Sequence, residues 1–516
     1  MKEKNRTENS IKNSSTAVIA QICSVMLSFI VRTVFIRFLG NSYLGINGLF
    51  SNVLSLLSFA ELGFGTAIVY AMYKPIAEKD EKAVSAFMNF YGKIYRGIGC
   101  FILIAGAALI PFLGEFIGDT SQIPTDLPSI NVIYMLYVVN SASSYFFNYK
   151  RSLVTASQNG YIDSINQLQF NIARNILQIA VLVLFRSFLL YLIIQILCTL
   201  LGNVFISLKA DKLFPYLKDN KNEKLSHEAI RNILKNVMAM ACHKLGSVIV
   251  SGTDNILITK YVGLVATGQY SNYVLLTTTV RTFYLQIINP LTASVGNLIA
   301  TENREKCYDL FRKILFLNSY IAVFCATCLL GLSNSFIYLF WGHDSILPMT
   351  TVYLIMLVFY INCIRKSAEM YIDTVGLFWQ IKWKSVIEAI INLVVSIFCA
   401  AQLKMGITGV LIGTLVSDVA TNLWWEPFVV YKYFFEKPLY LYFIDYVRYF
   451  VAFIVSVGIV FAANNIVAIS FTGFIIKAVV AAIVPNLVMI LFFGRTKEFE
   501  YFLNLAKKIG SKIVRR

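Results

Sequence analysis

Apolar residues gather in fourteen runs, near 14–39, 43–72, 86–113, 127–148, 161–185, 187–208, 233–259, 264–290, 309–333, 348–370, 380–402, 406–431, 443–464 and 469–493. Each is close to the roughly 20 residues that carry a helix across a bilayer. None alternates with period two. The pattern predicts an all-α polytopic membrane protein with about fourteen transmembrane helices and argues against a barrel of alternating strands.

Polar residues inside these runs fall on single helix faces. The first run carries Gln21, Ser24, Ser28 and Arg32, and the second Asn47, Ser51, Ser55, Ser58 and Glu61. The fifth carries Asn171, Arg174 and Gln178, and the seventh Lys244, Ser247, Ser251 and Asp254. Thr278 with neighbouring Arg281 marks the eighth, Glu388 and Asn392 the eleventh, and Asp418 the twelfth. Spacings of three and four residues put each set on one side of its helix.

Charge between the runs orients them. Alternate connections hold 36 Lys and Arg, while the opposite set holds only Arg186, Lys260 and Lys404. Basic residues stay on the cytoplasmic side, so both termini are expected there and the loop 113–128 outside. The tail 495–516 is basic and amphipathic, a form that lies on an anionic inner leaflet.

A shift of 223 residues superposes the first run on the seventh. Arg37-Phe38-Leu39-Gly40 and Gly45 fall on Lys260-Tyr261-Val262-Gly263 and Gly268, and Ser24 and Ser28 fall on Ser247 and Ser251. Six runs separate the copies, so the halves share one orientation and form a parallel repeat. This predicts an N-terminal lobe over 1–208, a cytoplasmic linker over 209–235, a C-terminal lobe over 236–434 and two appended helices over 435–494. Repeated lobes around a central cavity are the architecture of alternating-access carriers.

Composition agrees with this class. Of 516 residues, 57% are hydrophobic and 14% charged, far from the roughly 25% charged residues of soluble domains. The net charge of +17 reflects the loop bias and predicts no nucleic-acid partner. Three His and nine Cys, with Cys325-x-x-Cys328 inside an apolar run, predict no metal site and no cofactor.

Buried cations carry the chemical signal. An Arg or Lys near the bilayer centre costs on the order of 3 kcal/mol on insertion scales. Arg32, Arg174, Lys244 and Arg281 are therefore expected to line a wet cavity and bind an anion. Arg matches pyrophosphate through bidentate, charge-assisted hydrogen bonds, and the hydroxyl and amide faces suit a glycan. Glu61, Asp254, Glu388 and Asp418 are expected either to neutralise these cations or to couple transport to a proton or sodium ion.

Three stretches carry a resemblance. Phe35-Ile-Arg-Phe-Leu-Gly-Asn-Ser-Tyr-Leu-Gly-Ile-Asn-Gly leads to Ala60-Glu-Leu-Gly-Phe-Gly-Thr-Ala and Tyr73-Lys-Pro-Ile-Ala-Glu. Gly376-Leu-Phe-Trp precedes Glu388-Ala-Ile-Ile-Asn-Leu-Val-Val-Ser, and Gly413-Thr-Leu-Val-Ser precedes Trp425-Glu-Pro. The chain resembles bacterial polysaccharide-unit flippases of the multidrug/oligosaccharidyl-lipid/polysaccharide exporter superfamily, over nearly its whole length.

The resemblance implies a non-enzymatic carrier in the bacterial plasma membrane. It would move undecaprenyl-pyrophosphate-linked oligosaccharide to the outer leaflet for capsule or exopolysaccharide assembly, with a polysaccharide polymerase as a partner. A multidrug or cation antiporter of the superfamily is the nearest alternative, but it would call for an acid-rich cavity. A peptidoglycan-precursor flippase would bear the same pyrophosphate handle. A membrane glycan polymerase or glycosyltransferase is disfavoured, because the longest outer loop has no Arg or His.

Overall fold

The computed structural model describes residues 6–61, 64–157 and 159–514, and the side chains of residues 6–18, 235–236, 238–251 and some scattered positions lie outside the described set. Every regular element among the described residues is helical. The chain folds as two compact units, Met1–Gly268 and Gln269–Arg516.

The first unit contains α1 (Arg6–Leu39), α2 (Asn41–Leu57), α3 (Phe64–Glu78), α4 (Glu81–Ala108), α5 (Leu113–Ile117) and α6 (Ile130–Asn148). It continues through α7 (Arg151–Ala156), α8 (Gly160–Phe185), α9 (Phe188–Leu213), α10 (Tyr216–Asp219) and α11 (His227–Tyr261) into the start of α12 (Leu264–Ile288). α1 packs lengthwise on α8, and α11 on α2. The core is aromatic: Phe35 and Tyr43 meet Phe188 edge-on at 5.9 and 5.1 Å, and Phe50 meets Tyr134 at 5.1 Å. Edge-to-face pairs add about 0.5–1.5 kcal/mol each beyond the area they bury.

The second unit holds the rest of α12, then α13 (Leu291–Thr301), α14 (Arg304–Trp341), α15 (Met349–Ile364), α16 (Lys366–Val375) and α17 (Lys384–Ile397). α18 (Gly406–Ser417), α19 (Leu423–Val430), α20 (Tyr440–Ile466), α21 (Phe471–Phe493) and α22 (Lys497–Val514) follow. Phe311, Tyr371, Tyr431 and Phe435 form a ring cluster, and Tyr360 stacks on Phe453 at 4.3 Å. The first turns of α22 dock on α14, with Phe502 stacked on Phe316 at 6.0 Å and Glu498 paired with Arg312 at 3.1 Å.

Polar caps start several helices where apolar runs begin. Asp80 accepts from Ala83 N–H at 2.9 Å, Ser187 from Leu190 at 3.3 Å and Asn303 from Lys306 at 3.0 Å. Each satisfies a donor that the helix itself leaves open, worth about 1 kcal/mol. Outward faces are apolar instead: Leu184, Phe185 and Leu491 are all exposed. A surface of this kind suits lipid rather than water.

Nine helical segments are long and apolar enough to cross a membrane among the described residues, and a tenth arises if α4 and the bent segment Ile110–Ile117 form one span. The protein is a multi-pass membrane protein. The predicted second, fourth, seventh and eighth spans are also helical but are not among these segments. The second is divided: α2 ends at Leu57, a tight turn covers Ser58–Glu61, and α3 begins at Phe64.

The repeat predicted from sequence is visible in the element boundaries. α2 starts at Asn41 and α12 at Leu264, again 223 residues apart. Gly40 and Gly263, which precede them, both adopt positive φ, 84° and 123°. Only glycine reaches such angles without steric cost.

Candidate transport site

In the first unit the polar face of α1 runs along α8. Gln21, Ser24, Ser28 and Arg32 are half-buried there, as are Asn171 and Arg174 of α8. The Ser28 hydroxyl donates to its own helix, to Val25 O at 2.7 Å. The Tyr191 hydroxyl of α9 lies within electrostatic range of both the Arg32 and the Arg174 guanidinium groups. Gln178, buried one turn beyond Arg174, donates to Tyr191 O at 3.3 Å and fixes the backbone that carries this tyrosine.

The same seam extends to α2 through Tyr137 of α6, whose hydroxyl donates to Asn47 Oδ1. Ser51 and Ser55, one and two turns further along α2, are exposed. Lys244, Ser247 and Ser251 fall within α11, but their side chains lie outside the described residues. Asp254 is half-buried on α11, and its neighbour Asn255 reaches Gly48 O of α2 at 3.5 Å.

Glu61 sits among tyrosines. Tyr95 donates to its carboxylate, Tyr145 lies near it and near Ser58, and Tyr91 joins Tyr95 edge-on at 4.3 Å.

The second unit is arranged differently. Arg281 is exposed on α12, near the Tyr284 hydroxyl and Cys363, and Thr278 spends its hydroxyl on Val274 O at 2.6 Å. The acids form a network. Glu426 accepts from Arg365 through both carboxylate oxygens, at 2.6 and 3.2 Å, and from Lys384 at 2.8 Å. Lys384 also pairs with Glu388 at 3.1 Å, one helical turn on. Arg365 and Lys366 reach Glu369 at 3.2 and 3.0 Å.

Asn422 closes the network. Its amide donates to Glu388 at 2.8 Å and to Asp418. Asp418–Asn422 is a π-turn between α18 and α19, a widened turn found often at functional sites. Asn392 donates separately to Thr414 at 3.0 Å. Lys384, Glu388, Asp418 and Glu426 are all under 7% exposed. Glu388, expected as a counter-ion or a coupling group, contacts Lys384 at 3.1 Å.

The sequence pattern does not single out Arg365, Glu369, Glu426, Tyr137 or Tyr191. The Trp425-Glu-Pro motif and the Lys384/Glu388 spacing are the available signals for the network. Nothing in the periodicity marks Tyr191, since a tyrosine in a span reads equally well as packing.

Residues 10–293 match the family described as polysaccharide biosynthesis protein, more than half of the chain. The protein belongs to this polysaccharide biosynthesis family. No curated protein sequence matches the chain significantly. Solved structures with the same fold include the lipid II flippase MurJ in an inward closed conformation, with TM-score 0.64 and 14% identity over 92% of this chain and 98% of that one. An inward-facing MATE multidrug-resistance transporter of the MOP superfamily aligns with TM-score 0.61 and 14% identity, over 80% of this chain and 98% of the other. A MOP-superfamily transporter from Pyrococcus furiosus, described as having reversed binding-pocket polarity, gives TM-score 0.56 and 14% identity over 83% and 97%. The fold of this family member is that of the MOP-superfamily transporters and flippases.

Proposed function

We propose that the protein is an alternating-access flippase. It moves undecaprenyl-pyrophosphate-linked oligosaccharide repeat units from the inner to the outer leaflet of a bacterial plasma membrane, for capsule or exopolysaccharide assembly. The observation that carries this reading is the pair of half-buried cations, Arg32 on α1 and Arg174 on α8, carried by two helices packed together. Cations carried on membrane-spanning helices are costly and suit an anionic ligand. A pyrophosphate offers both the charge and the paired oxygens that Arg binds in bidentate fashion.

The acids of the second unit support the same polarity. Glu388, Glu369 and Glu426 are occupied by Arg365, Lys366 and Lys384, so they do not offer a carboxylate cage for a cationic drug. The hydroxyl and amide groups of Gln21, Ser24, Asn47, Ser51 and Asn171 suit the sugars. Glu61, which accepts from the Tyr95 hydroxyl, is the candidate for ion coupling, and a polysaccharide polymerase is the partner that would consume the product.

The test is lipid-linked oligosaccharide accumulation in cells lacking the protein, complemented by wild type, Arg32→Ala or Arg174→Ala. The reading predicts accumulation on the cytoplasmic side, relieved by wild type and not by equally expressed Arg variants. Unchanged glycan export with altered drug sensitivity would favour the antiporter. Accumulation of the peptidoglycan precursor instead would favour a peptidoglycan-precursor flippase.

A further inference from the structure

A cavity of about 610 Å³ opens where α1 ends, α2 begins and the loop 118–129 crosses them, with Arg186 from the α8–α9 turn on its wall. By the charge bias of the connecting loops this is the outer end of the first unit. Its size falls within the range of small-molecule sites and exceeds what one sugar ring fills.

The wall is built, not loose. Asp119 accepts from the Ser121 hydroxyl at 2.6 Å, the Ser121 N–H at 3.0 Å and the Gln122 amide at 3.1 Å. Gln122 Oε1 in turn accepts from Val265 N–H at 3.3 Å, tying the loop to the start of α12. A side-chain carbon at Gly118 would lie 2.5 Å from Lys260 O, so the loop presses directly on the end of α11. On the floor, the Tyr43 hydroxyl donates to Asp126 Oδ1 at 2.5 Å.

Within this frame four polar groups remain unspent among the described residues. Arg186 pairs with no carboxylate; its guanidinium lies 5.6 Å over the Phe38 ring. Held by its face, it keeps its edge N–H groups for a bidentate acceptor. The Ser42 and Thr125 hydroxyls make no hydrogen bond, and Asp126 Oδ2 receives no donor. One cation, one carboxylate oxygen and two hydroxyls converging on a cavity of this volume match a hydroxyl-rich ligand that bears one negative charge.

We propose that this pocket is an outer-face subsite for an acidic sugar, carrying a carboxylate or a phosphate, of the transported oligosaccharide. Arg186 takes the acid group, while Ser42, Thr125 and Asp126 bond ring hydroxyls. The inference rests on the flippase reading and deepens it: the sugar headgroup has a polar receptor on the side to which it is delivered. It also implies that the glycan contains an acidic residue.

The test uses full-length protein in nanodiscs and calorimetric titration with three probes: a glucuronate-terminated disaccharide, galactose 1-phosphate and neutral lactose. The pocket predicts binding of one or both acidic probes and none of lactose, with the stronger acidic probe identifying the acid. Arg186→Gln should weaken that binding about tenfold or more, and Arg186→Lys should restore part of it. Lys404→Gln, an exposed cation that does not line this cavity, should leave it unchanged. Equal binding by Arg186→Gln, equal binding of lactose, or no binding of either acid overturns the subsite. A parallel flipping assay on the same preparation separates the two claims. Flipping without acidic-sugar binding removes only the subsite, whereas binding without flipping of lipid-linked oligosaccharide removes the flippase reading.

Discussion

Gly45 and Gly268 hold equivalent places in the repeat and make the same contact with each other's helix. A side-chain carbon at Gly45 would lie 1.9 Å from Leu264 O, and one at Gly268 would lie 2.0 Å from Asn41 O. Asn41 and Leu264 are themselves the first residues of α2 and α12. The starts of the two helices therefore cross backbone to backbone, reciprocally, about a local two-fold axis.

This crossing gives the first prediction. The facing atoms are backbone carbonyls, which have nowhere to move, so Gly45→Val and Gly268→Val should each cost about 1–3 kcal/mol or more. Both should lower the thermal midpoint of the protein in detergent by similar amounts. Gly97→Ala, with open space around it, should leave the midpoint unchanged or raise it slightly.

Glu426 is the hub of the second unit's network, with Arg365 and Lys384 on its two oxygens. Replacing it by Gln leaves two buried cations under-compensated, and breaking a buried pair costs about 3–5 kcal/mol. Glu426→Gln should therefore destabilise strongly in thermal unfolding. The double variant Lys384→Met with Glu388→Leu removes both charges of one pair and should cost clearly less than Glu388→Leu alone.

The sequence made most of this fold legible, for physical reasons that particular residues show. A bilayer forces apolar runs into helices, so most helices were expected from hydropathy, although the second run breaks at Ser58–Glu61. The repeat was readable because glycine is demanded at Gly40, Gly45, Gly263 and Gly268 by backbone angles and close crossings. The network was less legible: Arg365 and Glu426 stand 61 residues apart on different helices, and period-based reasoning finds neighbours only along one helix. Glu61 stood out as an intramembrane acid, but its tyrosine partners come from α4 and α6, which the pattern could not place beside it.

The loop 118–129 should respond to acid through Asp119. Hydrogen bonds from the Ser121 hydroxyl, the Ser121 N–H and the Gln122 amide hold its carboxyl below the ordinary aspartate value of 3.8. A depressed value means that the ionised form supports the folded loop. That support is fully present above pH 3.8 and fades as the pH falls through the lowered value. Amide hydrogen exchange at Ser121 and Gln122, corrected for intrinsic rates, should accelerate below pH 3.8. Asp119→Ala should show the faster exchange already at neutral pH.

On the flippase reading, the Tyr191 hydroxyl, which lies within electrostatic range of Arg32 and Arg174, should matter more than its ring. Tyr191→Phe keeps the packing against Phe35, whose ring centroid is 5.2 Å away. It should leave the thermal midpoint within about 1 kcal/mol of wild type while lowering transport several-fold.

The central claim is that Arg32 and Arg174 together hold the pyrophosphate of a lipid-linked oligosaccharide. The most direct measurement is flipping in proteoliposomes of purified protein. It compares an undecaprenyl-pyrophosphate-linked oligosaccharide with the same glycan on undecaprenyl monophosphate. The expected result is transport of the pyrophosphate substrate by wild type, weaker transport of the monophosphate, and loss of that preference in Arg32→Gln and Arg174→Gln. Equal transport of both substrates by wild type, or an unchanged preference in both variants, would contradict it.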